Sequence, residues 1–114
     1  MARKSSRGEI PRGAVRTIIL TLLVEGPNHG YRLCKMLEGR TDGAFKLSEG
    51  SLYPILHELE LEGLVKVKDV TSETGRKRRV YHLTRSGRKE AEQRRAHWLA
   101  TAELMVDLLS PAPS

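Results

Sequence analysis

Between Ser51 and Leu83 the chain prescribes a helix followed at once by a hairpin, and that order leaves a small set of folds open. Leu52, Ile55, Leu56 and Leu59 recur at i, i+3, i+4 and i+7, the spacing that lines one face of a helix. Gly63 supplies the left-handed residue that ends such a helix at low cost. Next come the valines of a short strand (Val65, Val67, Val70), a basic loop Gly75-Arg76-Lys77-Arg78-Arg79, and a second strand Val80-Tyr81-His82-Leu83. A helix backed by an arginine-lined hairpin is the layout of a winged helix-turn-helix, in which the helix enters the major groove of DNA. The hairpin, or wing, lies along the backbone. The expected fold class is mainly α with a small β-hairpin: a winged helix-turn-helix plus a long C-terminal dimerisation helix.

The segments before this unit supply the rest of a helix-turn-helix. Met1 to about Gly13 is polar, basic and aperiodic, and reads as a flexible arm. Val15, Ile18, Ile19, Leu22 and Leu23 then form a helical stripe that Gly26-Pro27 closes. Asn28 is the expected N-cap of a second helix, on which Tyr31, Cys34 and Leu37 share a face flanked by Leu33 and Met36. Asp42-Gly43 marks the turn beyond it. Ser48 or Ser51 can cap the third helix. Pro54 would cost about 3 kcal/mol in a helix interior, so regular hydrogen bonding is expected to begin near Gly50 or Ser51. Ser51, Leu52 and Tyr53 then stand at the end that points at base edges and phosphates.

Thr84 is the expected cap of a fourth helix reaching about Leu109, where Ser110-Pro111-Ala112-Pro113 stops it. Such a helix spans roughly 35 Å, longer than the small domain it packs against. Ala91, Trp98, Met105 and Leu109 recur at heptad-like intervals, and Leu104 and Leu108 widen the stripe. Arg94 and Arg95 interrupt it near its start, so the stripe reads as a helix–helix seam. The expected organisation is a basic arm with the winged helix-turn-helix over residues 1–84, a dimerisation helix over 85–110 and a disordered tail over 111–114.

Charge and composition narrow the function classes. A formal net charge of +6 suits a polyanionic partner, with the basic residues gathered in the arm, the wing and the start of the last helix. Cys34 is the only cysteine, so no intrachain disulfide can form. No metal or other cofactor is expected, because no histidine–cysteine or histidine–carboxylate grouping has metal-ligand spacing. His29 reads as a capping or packing residue and Cys34 as a small buried hydrophobe. No signal peptide and no membrane span are expected, which makes the cytoplasm the expected compartment. No Gly-rich phosphate loop or nucleophile–base pairing suggests an enzyme.

Arg76, Lys77, Arg78 and Arg79 are candidate phosphate contacts, since each cation on a wing tip can release condensed counterions. Ser51, Tyr53 and His57 lie on the side of the third helix that the apolar stripe leaves free. They are candidates for base edges or phosphates, Ser51 also through its backbone N–H. Against this, Ser51 can serve as a cap and Tyr53 can pack with its hydroxyl on a neighbour. Arg32 and Lys35 project from the second helix toward the backbone or toward solvent. Glu58, Glu60 and Glu62 must face away from phosphate or act against wrong sites. Trp98, Met105, Leu108 and Leu109 are the candidate dimer contacts. Trp98 is also a candidate platform for a planar aromatic effector, or else an interface core residue.

Glu25-Gly26-Pro27-Asn28-His29-Gly30-Tyr31, Gly50-Ser51-Leu52-Tyr53-Pro54, Leu59-Glu60-Leu61-Glu62-Gly63-Leu64, and Tyr81-His82-Leu83-Thr84 followed by Gly87 resemble the blocks of the PadR family of bacterial transcriptional regulators. They come in that family's order and spacing over roughly Val15 to Gly87, and the single helix after them is similar to its short-chain subfamily. Two departures are Arg32, where an acidic residue is common, and Val80, where a second tyrosine is usual. The resemblance implies a homodimeric repressor on an inverted-repeat operator in double-stranded DNA. It also implies, from multidrug-responsive members, that a tryptophan near the position of Trp98 pairs with its dimer mate around planar drugs. A rival of another class is a winged-helix protein-interaction module without DNA binding, against which the basic wing and arm both count.

Overall fold

A computed structural model describes residues 8–113. Residues 1–7 of the expected basic arm, and Ser114 of the expected tail, lie outside the described residues. The elements run α1 (Ala14–Val24), β1 (Asn28–His29), α2 (Gly30–Arg40), α3 (Glu49–Leu61), β2 (Val65–Thr71), β3 (Lys77–Leu83) and α4 (Arg85–Leu109). The strands form an antiparallel sheet in the order β1-β3-β2. The hairpin expected from the valines is therefore widened by a two-residue strand too short to show any periodicity.

That strand moves the cap of α2. Asn28 pairs with Tyr81 in the sheet, so capping falls to His29, whose Nδ1 accepts the Arg32 N–H at 3.2 Å. The buried side of α2 is Gly30, Leu33 and Leu37. Tyr31, expected on the apolar face, is turned about 100° from Gly30 and is 47% exposed.

Ser48 is the cap of α3, accepting the Ser51 N–H at 3.1 Å. Pro54 consequently falls in the second turn, inside the helix, not in its opening turn as its chemistry suggests. Its missing N–H would have met the carbonyl of Gly50, which is exposed near the helix start where water can take its place. At the other end Gly63 is left-handed with φ 76°. The Gly63 N–H reaches Glu60 O at 3.0 Å and the Leu64 N–H reaches Leu59 O at 2.9 Å, a Schellman closure that satisfies two terminal carbonyls.

Leu52, Leu56 and Leu59 of α3 meet Ile19, Leu20 and Leu23 of α1 and Leu33 and Leu37 of α2 in one core, joined by Tyr81 and Ala91. Arg16 on α1 grips the far end of α3 with a two-pronged bond to Glu62 at 2.7 and 2.8 Å and a third to Glu58 at 3.1 Å. Of the three glutamates at the end of α3 (Glu58, Glu60 and Glu62), two are thus engaged by α1, away from the helix start. Arg40 pairs with Glu25 in the same forked manner, fixing the end of α2 to the end of α1.

The entry to α4 is tightly built. Thr84 Oγ1 accepts the Gly87 N–H at 3.0 Å and donates to Gly63 O at 2.7 Å, while the Thr84 N–H reaches Leu64 O at 3.0 Å. Gly87 and Ala91 are buried. Ala91, whose heptad spacing assigns it to a seam between protomers, therefore belongs to the core of its own chain. The exposed apolar residues of α4 lie farther on, from Leu99 to Leu109.

Candidate nucleic-acid interface

The start of α2, the first turns of α3 and the wing enclose an open concavity of about 540 Å³. His29 and Tyr31 line it from one side, Glu49 and Tyr53 from another, and Arg76, Lys77, Arg78 and Arg79 from the wing. The wing turns at Ser72–Arg76, where the Ser72 N–H donates to Arg76 O at 2.9 Å and Gly75 takes φ 84°. Lys77, Arg78 and Arg79, which the sequence places in the loop, are the opening residues of β3, paired with Thr71, Val70 and Asp69. Pairing fixes their directions, so the basic residues do not act as one mobile tip.

Each cation has its own setting. Arg76 and Lys77 are exposed. Arg79 is exposed and lies 3.9 Å from Asp69 across the hairpin, a loose pair in water. Arg78 is half-buried, with one guanidinium nitrogen 3.2 Å from Nδ1 and 3.3 Å from Nε2 of His29. Burial, then the charges of Arg78 and Arg32, hold the His29 imidazole below its ordinary range, so it is neutral at pH 7. On α2, Arg32 and Lys35 are exposed, and the Lys35 ammonium stands 5.5 Å from the centre of the Tyr31 ring. Tyr31 in turn stacks beside His29, ring centres 6.4 Å apart at 20°.

At the head of α3, Ser51 is exposed but its N–H is committed to Ser48, so only its hydroxyl side chain faces outward chemistry. That hydroxyl accepts from Ser48 Oγ at 3.1 Å. Tyr53 is 39% exposed and donates its hydroxyl to Glu49 Oε1 at 3.2 Å. Its ring leans on the first residue of α2: a Cβ at Gly30 would lie 2.9 Å from the Tyr53 oxygen. The Gly-Tyr and Ser-Leu-Tyr-Pro blocks are therefore halves of one contact between α2 and α3. Partial burial and the Glu49 carboxylate push the Tyr53 phenol up, so it remains a hydrogen-bond donor. His57 is exposed one turn farther along α3.

Tyr31 and Glu49 belong to this concavity, and sequence reasoning misses both. A helical wheel in the correct register, beginning at Gly30, would expose Tyr31; no local pattern marks Glu49. Cys34 is half-buried, and burial pushes its thiol up, away from the reactive thiolate. Among the described residues no group of three or more histidine, cysteine or carboxylate side chains is arranged to hold a metal ion, and no helix is long and apolar enough to cross a membrane.

Away from the concavity, Trp98 is half-buried on the turn before α1, with its Cζ2 3.6 Å from where a Cβ of Gly13 would be. Its ring meets His97 edge-on at 6.0 Å and 77°. The indole Nε1 is shielded and has no hydrogen-bond partner among the described residues. Met105, Leu108 and Leu109 are 48%, 70% and 75% exposed, on the part of α4 that runs past the core.

Known proteins share this fold. The family model described as the transcriptional regulator PadR-like family matches residues 19–93. The transcriptional regulator Rv3488 of Mycobacterium tuberculosis is 40% identical over 89 residues, covering 77% of this chain and 79% of that protein. A transcriptional regulator from Clostridium thermocellum superposes with a TM-score of 0.77 at 33% identity, over 87% of this chain and 96% of that one. The fold is also that of Bacillus subtilis PadR, solved in complex with operator DNA. There the TM-score is 0.64 at 23% identity, over 89% of this chain and 50% of that one.

Proposed function

The chain belongs to the PadR-like family of transcriptional regulators, and on that premise we propose that it is a ligand-responsive repressor that binds an inverted-repeat operator as a homodimer. The observation that carries DNA binding is the cationic concavity beside the head of α3. Arg76, Lys77 and Arg79 along the wing, with Arg32 and Lys35 on α2, neutralise phosphates and so position the protein. Ser51, Tyr53 and His57 on the outer side of α3 reach base edges or the phosphates beside them. Double-stranded DNA as partner is supported by the complex of Bacillus subtilis PadR, whose fold this chain has.

In this reading residues 1–84 engage DNA and residues 85–110 pair two protomers. Leu99, Leu104, Met105, Val106, Leu108 and Leu109 make a run of exposed apolar side chains on the last turns of α4, more than a small monomer ordinarily leaves in water. A second copy of the helix is the natural cover, and the dimer blocks polymerase in the cytoplasm without further chemistry. Trp98 is the effector platform. A planar aromatic molecule would stack on the open part of its half-buried ring.

Trp98 is the only tryptophan, so its fluorescence reports on this site alone. Titration with planar aromatic dyes and antibiotics is expected to quench it, and the same compounds are expected to release DNA. Quenching without release, or release that survives Trp98→Ala, would remove Trp98 from the sensing role.

A further inference from the structure

Given a wing that binds DNA, as proposed above, we infer that His29 is a positioning residue for Arg78: its imidazole fastens the wing to the start of α2 and holds one arginine ready for a backbone phosphate. The register brings them together. His29 pairs with Val80 across the β1–β3 ladder, and Arg78, two residues along on the same face, is its diagonal neighbour.

The contact geometry is informative. An in-plane bond to one ring nitrogen cannot give nearly equal distances to both without the donor striking Cε1. Distances of 3.2 and 3.3 Å therefore set the guanidinium nitrogen over the face of the imidazole. The in-plane lone pair of Nδ1 is already taken by the Arg32 N–H. Both contacts require the neutral ring: a protonated one has no lone pair for the cap and repels the arginine. The groups facing the ring are Arg32 and Tyr31 from α2, Arg78 and Arg76 from the wing, and Glu49 from α3. Among these charges only Glu49 favours a proton there, and burial together with the three arginines outweighs it.

Arg78 thereby differs from its neighbours. Arg76, Lys77 and Arg79 are exposed, whereas Arg78 is half-buried with one guanidinium nitrogen against the His29 ring. Its other nitrogens remain for a phosphate on the strand that passes between wing and α3. A side chain already ordered loses less entropy on binding than a free one.

His29→Asn separates the two tasks of the ring, because asparagine caps a helix well but offers no aromatic face. This variant is expected to melt near the wild-type temperature and to bind a duplex selected by the full-length protein about tenfold more weakly, the order of one charge-assisted contact. Arg78→Ala is expected to weaken binding by the same factor, and the double variant by no more than either. Wild-type affinity in His29→Asn, or effects that multiply in the double variant, would overturn the positioning role. NMR titration without DNA gives a separate readout: the His29 midpoint is expected to rise in Arg78→Ala, and an unmoved midpoint would overturn the contact itself. A wild-type protein that binds no duplex would bring down the DNA reading and this role with it. That result is distinguishable from DNA binding that His29→Asn leaves unchanged.

Discussion

Alanine at Arg76, Lys77 and Arg79 together is expected to weaken binding to cognate and unrelated duplexes alike. Removing one cation from a phosphate flattens the slope of log K against log salt by about 0.9, so the triple variant flattens it by about 2.7. Over a fourfold change in salt, that slope difference alone is worth about fortyfold in affinity. The three side chains are exposed, and none is buried in the core. The melting temperature is therefore expected to stay near that of the wild type, apart from the small effect of breaking the loose Arg79–Asp69 pair. Fluorescence anisotropy at several salt concentrations measures the slope directly. An unchanged slope would mean that the wing does not lie on the DNA backbone.

The second large effect concerns folding. Gly87→Ala is expected to destabilise the chain severely, because the added Cβ would sit 1.9 Å from the carbonyl oxygen of Leu64 and 2.9 Å from Leu83 Cδ2. The carbonyl cannot move aside cheaply, since it accepts the Thr84 N–H at 3.0 Å at the junction of wing and α4. Overpacking of this kind costs about 1–3 kcal/mol and sometimes more. In a domain of this size each kilocalorie lowers the melting temperature by about 4–8 °C. Gly39→Ala is the control: nothing lies within 4 Å of its Cβ position, and alanine there favours the helix by up to about 1 kcal/mol. Thermal melts of the two variants should move in opposite directions. Equal melts would mean that α4 does not enter the fold against Leu64.

The legible parts of this fold are those fixed by local chemistry. Thr84 and Gly63 announce helix ends because capping and left-handed closure need those residue types, and α4 stops where Ser110 and Pro111 make continuation costly. The stripes of α1 and α3 are legible because both helices bury one face in a single core. What escapes depends on contacts distant in sequence. Asn28 and His29 become a strand only because β3 is there to pair with them, and that pairing shifts the start of α2 and turns Tyr31 outward. Pro54 defies its usual placement because Ser48 caps one turn earlier than the proline alone suggests.

The candidate site is legible by type more than by arrangement. A run of four basic residues reads as one patch, yet strand pairing gives Arg78 to His29 and sets Arg79 beside Asp69. Spacing alone cannot say that Ala91 packs within the chain while Met105, Leu108 and Leu109 do not. Heptad periodicity records that a face is apolar, and leaves open what covers it.

The most direct test of the account is selection from a pool of random duplexes with the purified full-length protein, followed by sequencing of the bound fraction. A homodimer presenting two copies of α3 is expected to enrich an inverted repeat whose half-site centres lie about one helical turn, or a whole number of turns, apart. Enrichment should fall when either half-site is scrambled, because a single half-site forgoes the advantage of linked binding. A bound fraction with the same sequence composition as the input, at salt low enough for any cationic wing to hold DNA, would contradict the account.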